Sequence, residues 1–288
     1  MEPKDLNTKE ENTWCPGCPN FVILETVKKA LAELTNEGKI QIKDTAVVTG
    51  IGCHAKTFDY LNINSFYGLH GRVLPTALGI KLGNPNLTVI GFGGDGDTYA
   101  EGLDHFIHNC RYNADLKMFV HNNQIFALTV GQATPTTEKG FIGSATPLEV
   151  GEKPLNPIAL ALISQASFVA RGYAMDMEHL KNIMKEAILH KGFSFVDILQ
   201  PCIVFHDTTP YFKKNTYKLD ETHDTANLDA ALAKAKEWDY CFDSEQKIPI
   251  GIFYKKERPL FKGQSSQDKP WYIVDRKVDW PKITGDFS

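Results

Sequence analysis

Two short motifs carry the strongest chemistry in this chain: Gly93-Gly94-Asp95-Gly96-Asp97 and Asn122-Asn123. A carboxylate held between glycines and an amide oxygen are hard ligands of the kind Mg²⁺ takes at ~2.1 Å. The glycines let backbone approach phosphate oxygens closely. A helix starting near Thr98 would add free N–H groups and the positive end of its dipole. The 25 residues from 97 to 121 hold one helix pattern, about 99–112, and one strand pattern, LKMFVH at 116–121. Both motifs therefore fall at the carboxyl ends of neighbouring parallel strands, where open α/β sheets bind ligands. The pair reads as a grip on a diphosphate through a divalent ion. Either motif alone would be an ordinary turn.

Cysteines form the second constellation. Cys15-Pro-Gly-Cys18 puts two thiols on one turn, Cys53 follows a strand in GIGC, and Cys202 follows another in QPC. Four thiolates that converge can hold structural zinc or an iron–sulfur cluster. Zinc sites more often pair two such turns, and one turn plus two isolated cysteines suits a [4Fe–4S] centre built into a larger fold. On spacing alone, cluster, zinc and unrelated thiols all remain open. Cys110 and Cys241 read as plain buried thiols.

The elements that must position these residues alternate between strand and helix. Helical spacing runs over about 21–37 and stops at Gly38. TAVVT (45–49) reads as a buried strand entering the loop GIGCHAKT, and residues 72–82 read as a helix with Pro75 in its first turn. LTVIGF (87–92) has the length and composition of a parallel strand. Helices follow at 157–166 and 177–190, and strands at 167–172 and 193–199. This alternation predicts an α/β fold with a doubly wound, mostly parallel sheet. Residues 1–13 read as a polar N-terminal arm lying across a partner, 14–205 as the cofactor-binding domain, and 206–288 as a C-terminal extension packing on the partner. That extension holds one helix near 227–238 and an extended tail from Lys255.

The composition excludes several classes. With 288 residues, 42% hydrophobic and 23% charged, the chain has core material enough to rule out intrinsic disorder. A net charge of −4 gives no basic excess for nucleic acid. No apolar run approaches the ~18 residues of a membrane span. The polar N-terminus lacks a signal core, so the expected location is the cytoplasm.

The first constellation looks like the diphosphate-binding half of thiamine diphosphate enzymes, whose motif implies Asp95, Asn123 and the Ile125 carbonyl as Mg²⁺ ligands. Taken with the cysteines, the chain resembles the β subunit of 2-oxoacid:ferredoxin oxidoreductases. The stretches that carry the resemblance are WCPGC (14–18), TGIGCHAK (49–56), FYGLHGRVLPTALGIKLGNP (66–85), LTVIGFGGDGD (87–97), NNQIFALTVGQATPTT (122–137) and QPC (200–202). They imply thiamine diphosphate, Mg²⁺ and a [4Fe–4S] cluster on Cys15, Cys18, Cys53 and Cys202. They also imply CoA-dependent oxidative decarboxylation of a 2-oxoacid, pyruvate or 2-oxoglutarate, with electrons leaving singly to ferredoxin. The glutamate that activates the aminopyrimidine belongs to a second module. Residues 206–288 are too few to supply one, so an α subunit is expected in a heterodimer or dimer of heterodimers.

The resemblance implies further site residues. Ile51, Gly52, Cys53, Gly94, Gly96, Leu128 and Thr129 are expected to line the cofactor. His70 is expected at the cofactor or the reacting oxygen, and Lys56 at the substrate carboxylate or the diphosphate. Asp97 reaches Mg²⁺ through water or, the favoured reading, caps the following helix. Phe66 and Tyr67 read as core packing. Departures are Pro19 after Cys18, His54 after Cys53, and Val130 where relatives often carry lysine. Without that cation a second substrate carboxylate would be costly to bury, which favours a monocarboxylate such as pyruvate. A non-oxidative thiamine decarboxylase or carboligase subunit and a zinc-bound scaffold are the competing readings.

Overall fold

The computed structural model describes residues 1–242, 246–262, 269–274 and 277–285. Its centre is an eight-stranded sheet. Along the chain come α1 (Asn20–Asn36), β1 (Thr45–Thr49), α2 (Thr57–Tyr60), β2 (Asn64–Tyr67), α3 (Val73–Gly83), β3 (Thr88–Gly94), α4 (Leu103–Tyr112) and β4 (Lys117–Asn122). A small hairpin, β5 (Ile125–Phe126) and β6 (Gln132–Ala133), precedes α5 (Pro157–Ile163), β7 (Phe168–Tyr173), α6 (Met177–Leu189) and β8 (Ser194–Leu199). The chain ends through α7 (Thr209–Asn215), β9 (Thr216–Lys218), α8 (Leu228–Ala235), β10 (Ile248–Lys255) and α9 (Trp280–Gly285).

The sheet order is β2-β1-β3-β4-β8-β7-β10-β9. The first six strands run parallel, and β10 joins β7 antiparallel. Buried apolar residues from α1 and α6 cover one face and those from α3, α4, α5 and α8 the other, so the sheet is doubly wound as expected. The strand cores read as continuous apolar runs because both faces are dry: every residue of β1, β4, β7 and β8 is buried. Fully buried Phe92, Phe119, Phe168 and Phe195 anchor this interior, each worth roughly 1.5–3 kcal/mol of removed apolar surface.

Three expectations need correction. Residues 206–255 are not a separate extension, because β10 and β9 complete the main sheet and Trp238, Tyr240, Ile248 and Ile250 form a core cluster with α7 and Tyr173. The N-terminal arm lies on its own chain. Leu6 is buried, its carbonyl accepts from Asn62 N–H at 2.8 Å, and the buried Lys28 ammonium donates to Asn7 Oδ1 at 2.8 Å. An ammonium taken out of water needs such an acceptor. Phe66 and Tyr67 are half exposed on the edge strand β2 rather than in the core. Part of the tail expected from Lys255 onward lies outside the described residues; the described part includes α9. Among the described residues, no helix is long and apolar enough to cross a membrane.

Candidate active site and cysteine cavity

The strands β1, β3 and β4 end at one edge of the sheet, and the loops leaving them enclose a pocket of about 140 Å³. Ile51, Gly52, Cys53, His70, Gly94, Asp95, Gly96, Asp97, Asn123, Ile125, Leu128 and Thr129 all line it, so the expected cofactor-side residues meet in one place. The chain turns helical at Asp95 as soon as β3 ends. It then passes through a wide π turn, Asp97–Glu101, before α4 proper. The helix thus starts earlier than expected and less regularly; π turns of this kind are frequent at functional sites. Gly96 is required here by space as much as by phosphate, since a Cβ on it would stand 2.3 Å from the Phe126 ring. Gly71 adopts φ +67°, and a Cβ there would press on the Glu101 backbone at 2.5 Å.

Asp95 and Asp97 have opposite surroundings. Asp95 is buried, and its Oδ2 accepts from Thr134 Oγ1 at 2.6 Å and Thr136 Oγ1 at 2.9 Å. Burial pushes its carboxyl up to about 7, although the two hydroxyls pull the other way. Asp97 is also buried, which would raise it, but bonds from His54, His70 and the Gly71 N–H more than offset that and hold it well below the usual carboxylate range. Its Oδ1 lies 2.8 Å from Gly71 N and 3.0 Å from His70 Nδ1, and Oδ2 lies 3.6 Å from His54 Nε2. Asp97 therefore does not cap the helix, which has no side-chain cap bond. It reaches back and fixes the 51–71 loops. The Asp97 bond raises His70.

A chain of buried groups stands behind Asp95. Thr136 Oγ1 also donates to Asn122 Oδ1 at 3.0 Å, and Asn122 Nδ2 donates to Asp197 Oδ1 at 3.0 Å. Asp197 accepts from Tyr99 at 2.9 Å and Tyr240 at 2.6 Å, with the fully buried Arg171 Nε 4.0 Å away. Thr134, Thr136 and His121 were missed in the sequence, and His54 was read there only as a departure from relatives. Asn122 was read there only as half of a pair.

The cysteines gather beside this pocket. Cys15, Cys18, Cys53 and Cys202 line a second cavity of about 330 Å³ that shares Cys53, Asn123, Ala127, Leu128 and Thr129 with the first. Trp14 closes one side by donating from Nε1 to the Cys53 carbonyl at 2.7 Å. Burial pushes the Cys53 thiol up to about 11, with Cys18 and Cys202 adding to the effect. Burial likewise raises Cys18, opposed by the Asn20 N–H and reinforced by Cys202 and Cys15. Among the described residues, no three His, Cys, Asp or Glu side chains stand close enough for a single metal ion. The four thiols line a roomy cavity instead. Lys56 lines this second cavity rather than the first, its Nζ donating to Thr13 Oγ1 at 2.8 Å. Cys110 is fully buried as expected, whereas Cys241 is only partly so. Val130 is half exposed and lines neither cavity. Arg72 makes hydrogen bonds to the Gly71 and Glu101 carbonyls.

The chain matches two family models: the C-terminal TPP-binding domain of thiamine pyrophosphate enzymes over residues 50–198, and the C-terminal part of the pyruvate ferredoxin oxidoreductase beta subunit over residues 202–269. It is 39% identical over 282 residues to subunit beta of 2-oxoacid:ferredoxin oxidoreductase 1 from Aeropyrum pernix, covering 93% of this chain and 86% of that one. It is 42% identical over 263 residues to the corresponding subunit from Saccharolobus solfataricus, covering 86% and 83%. Among solved structures, a 2-oxoglutarate:ferredoxin oxidoreductase from Magnetococcus marinus, with 2-oxoglutarate, coenzyme A and succinyl-CoA bound, superposes with a TM-score of 0.90 at 31% identity, covering 100% of this chain and 96% of that one.

Proposed function

This chain belongs to the family of 2-oxoacid:ferredoxin oxidoreductase beta subunits, and from there we propose that it binds thiamine diphosphate and Mg²⁺ in the first cavity and a [4Fe–4S] cluster in the second. The observation that carries this reading is the shared wall: a pocket holding a buried carboxylate without a cation abuts a cavity ringed by four thiols. Asp95 is the strongest sign of fit, because a divalent ion would supply the charge its burial withholds. Asn123 and the Ile125 carbonyl complete the ligand set the family motif implies. Cys15, Cys18, Cys53 and Cys202 are the cluster ligands in this reading, and burial of Cys18 and Cys53 disfavours their free thiolates until iron takes them.

Thiamine diphosphate, when bound, would supply an electron sink for decarboxylation, and a cluster on the four cysteines would supply one-electron redox chemistry toward ferredoxin. The chain's own residues hold and shape the site. Gly94 and Gly96 keep the backbone against the diphosphate position, Asp97 orients His54 and His70, and His70 is the protonatable group at the pocket mouth. Leu128 and Thr129 separate the two cavities. CoA is the acyl acceptor.

As a beta subunit the chain works with an α subunit, which in this reading supplies the pyrimidine-activating glutamate. No glutamate lines the first cavity among the described residues. The mouth is apolar and uncovered, with Leu69 74% exposed beside His70 and Leu128 half exposed, which suits a protein partner. No lysine or arginine lines that cavity either, so a substrate's second carboxylate would have to find its cation on the α subunit. A monocarboxylic 2-oxoacid such as pyruvate is therefore the proposed substrate.

The test is co-expression with the α subunit, anaerobic purification, and assay of CoA-dependent reduction of ferredoxin against a panel of 2-oxoacids. About four irons with sulfide per chain and pyruvate turnover are expected. One zinc without sulfide, or activity of this chain alone, would overturn the proposal, and a tenfold preference for 2-oxoglutarate would overturn the substrate.

A further inference from the structure

Two neutral side chains, Gln200 and Asn20, reach from the wall of the first pocket toward Cys18. Gln200 Oε1 accepts from Asn123 Nδ2 at 3.4 Å, while its Nε2 donates to the Pro201 carbonyl at 2.9 Å and faces Cys18 Sγ at 3.8 Å. His121 Nδ1 lies 2.7 Å from Asn20 Oδ1. An amide oxygen can only accept, so Nδ1 carries the proton and Nε2 is left as a bare acceptor. That Nε2 is buried without a partner, and His121 lines the thiamine-side pocket. Asn20 Nδ2 is also buried, with no hydrogen-bond partner among the described residues, and Asn20 lines the cysteine cavity.

An unsatisfied amide donor buried beside a thiol fits a thiolate acceptor better than a thiol. N–H groups aimed at a cluster sulfur stabilise the more negative, reduced cluster and so raise its potential. Each amide also accepts a hydrogen bond at its oxygen, which strengthens its donation at nitrogen. Filling the first pocket polarises Asn123, and the effect passes through Gln200 to Cys18.

We propose that Asn20 and Gln200 donate to the Cys18 corner of the cluster, raise its potential, and tie that potential to occupancy of the thiamine pocket through His121 and Asn123. This rests on the cofactor assignment of the preceding section. It goes beyond that assignment by naming one corner of the cluster and two neutral side chains.

The test is a redox titration of the anaerobically purified complex, followed by the electron paramagnetic resonance of the reduced cluster, with and without Mg²⁺–thiamine diphosphate. Asn20→Leu and Gln200→Met remove the donors at nearly constant shape and charge. At a fixed poise, each should lower the ratio of reduced to oxidised cluster about tenfold, the scale of one charge-assisted hydrogen bond, or a midpoint about 59 mV lower. Iron content should stay at the wild-type level. The change in midpoint on adding Mg²⁺–thiamine diphosphate should fall to less than half in Gln200→Met. A midpoint ratio within twofold of wild type overturns the role of the residue replaced. An undiminished cofactor response in Gln200→Met overturns the coupling. If either variant fails to assemble, the other decides the tuning claim alone. Wild-type complex without iron and sulfide would instead sink the cofactor assignment, so the two failures are distinguishable.

Discussion

The two cavities share a wall but are built in opposite ways. The first is made by the ends of three adjacent parallel strands, so its key groups come from a stretch whose order the sheet itself dictates. The second is stitched from a turn near residue 15, the loop after β1 and the loop after β8, so it exists only once the whole domain has closed. The first holds a buried carboxylate, and the second gathers partly buried thiols, of which burial raises Cys18 and Cys53. Each therefore sacrifices stability in the empty chain that its cofactor would restore.

Asp95→Asn breaks this comparison most sharply. Losing the carboxylate should weaken Mg²⁺ and thiamine diphosphate binding by well over 100-fold, beyond the 10–100-fold typical of outer-shell partners. The same change should stabilise the empty chain, because it removes a charge that burial penalises. Calorimetry of metal binding and thermal melts of the empty chain check the two signs. A destabilised empty Asp95→Asn chain would mean the carboxylate already has its counter-charge.

The pH dependence of the empty chain should report the same group. With the folded carboxyl raised to about 7 and the unfolded value near the ordinary ~3.9, the folded state keeps a proton the unfolded state gives up. Stability from this group is therefore greatest at low pH and declines between about pH 4 and 7. The ceiling is roughly 4 kcal/mol at ~1.36 kcal/mol per unit. Saturating Mg²⁺ and thiamine diphosphate should flatten that slope in a melting series. A slope unchanged by the cofactor would place the titration elsewhere.

The unequal construction of the cavities also explains what could be read in advance. TAVVT at 45–49 is β1 to the residue, Asp95 and Asn123 line one pocket, and the four cysteines line its neighbour. These signals are local, each a strand end with a chemically distinctive residue after it. The strand β10 escaped because Pro249 and Gly251 interrupt its apolar run. Pro249 pairs only with the short outer strand β9, and Gly251 takes φ +135° just before a register shift, so neither breaks the sheet. Thr134, Thr136, Asn20 and Gln200 reach their partners across 39 to 182 residues of chain. A hydroxyl or neutral amide has no spacing signature that would announce such a contact.

Thr136→Val sharpens the first side of the comparison. It deletes the hydroxyl joining Asp95 to Asn122 while keeping the volume, so metal affinity should fall about 10–100-fold. Compared in complexes free of Mg²⁺ and thiamine diphosphate, the visible spectrum and midpoint of the cluster should not move, because Thr136 is part of neither the cysteine cavity nor its amide bridges. A change at the cluster would show that the two cavities are coupled through Asp95 as well.

Lys56→Met should have the smallest effect and separates the cavities from the other side. Sequence resemblance pointed Lys56 at the substrate or the diphosphate, but its ammonium is held by Thr13 over the cysteine cavity. Removing it deletes two exposed hydrogen bonds to Thr13, each worth about 1 kcal/mol or less, from the segment that closes over Cys53. Thiamine diphosphate affinity should stay within about twofold of wild type, whereas the rate at which air bleaches the cluster should rise several-fold. Titration calorimetry and a bleaching time course read the two effects independently. A large loss of diphosphate affinity with an unchanged bleaching rate would return Lys56 to the first pocket and require the 53–56 turn to rearrange when the cofactor enters.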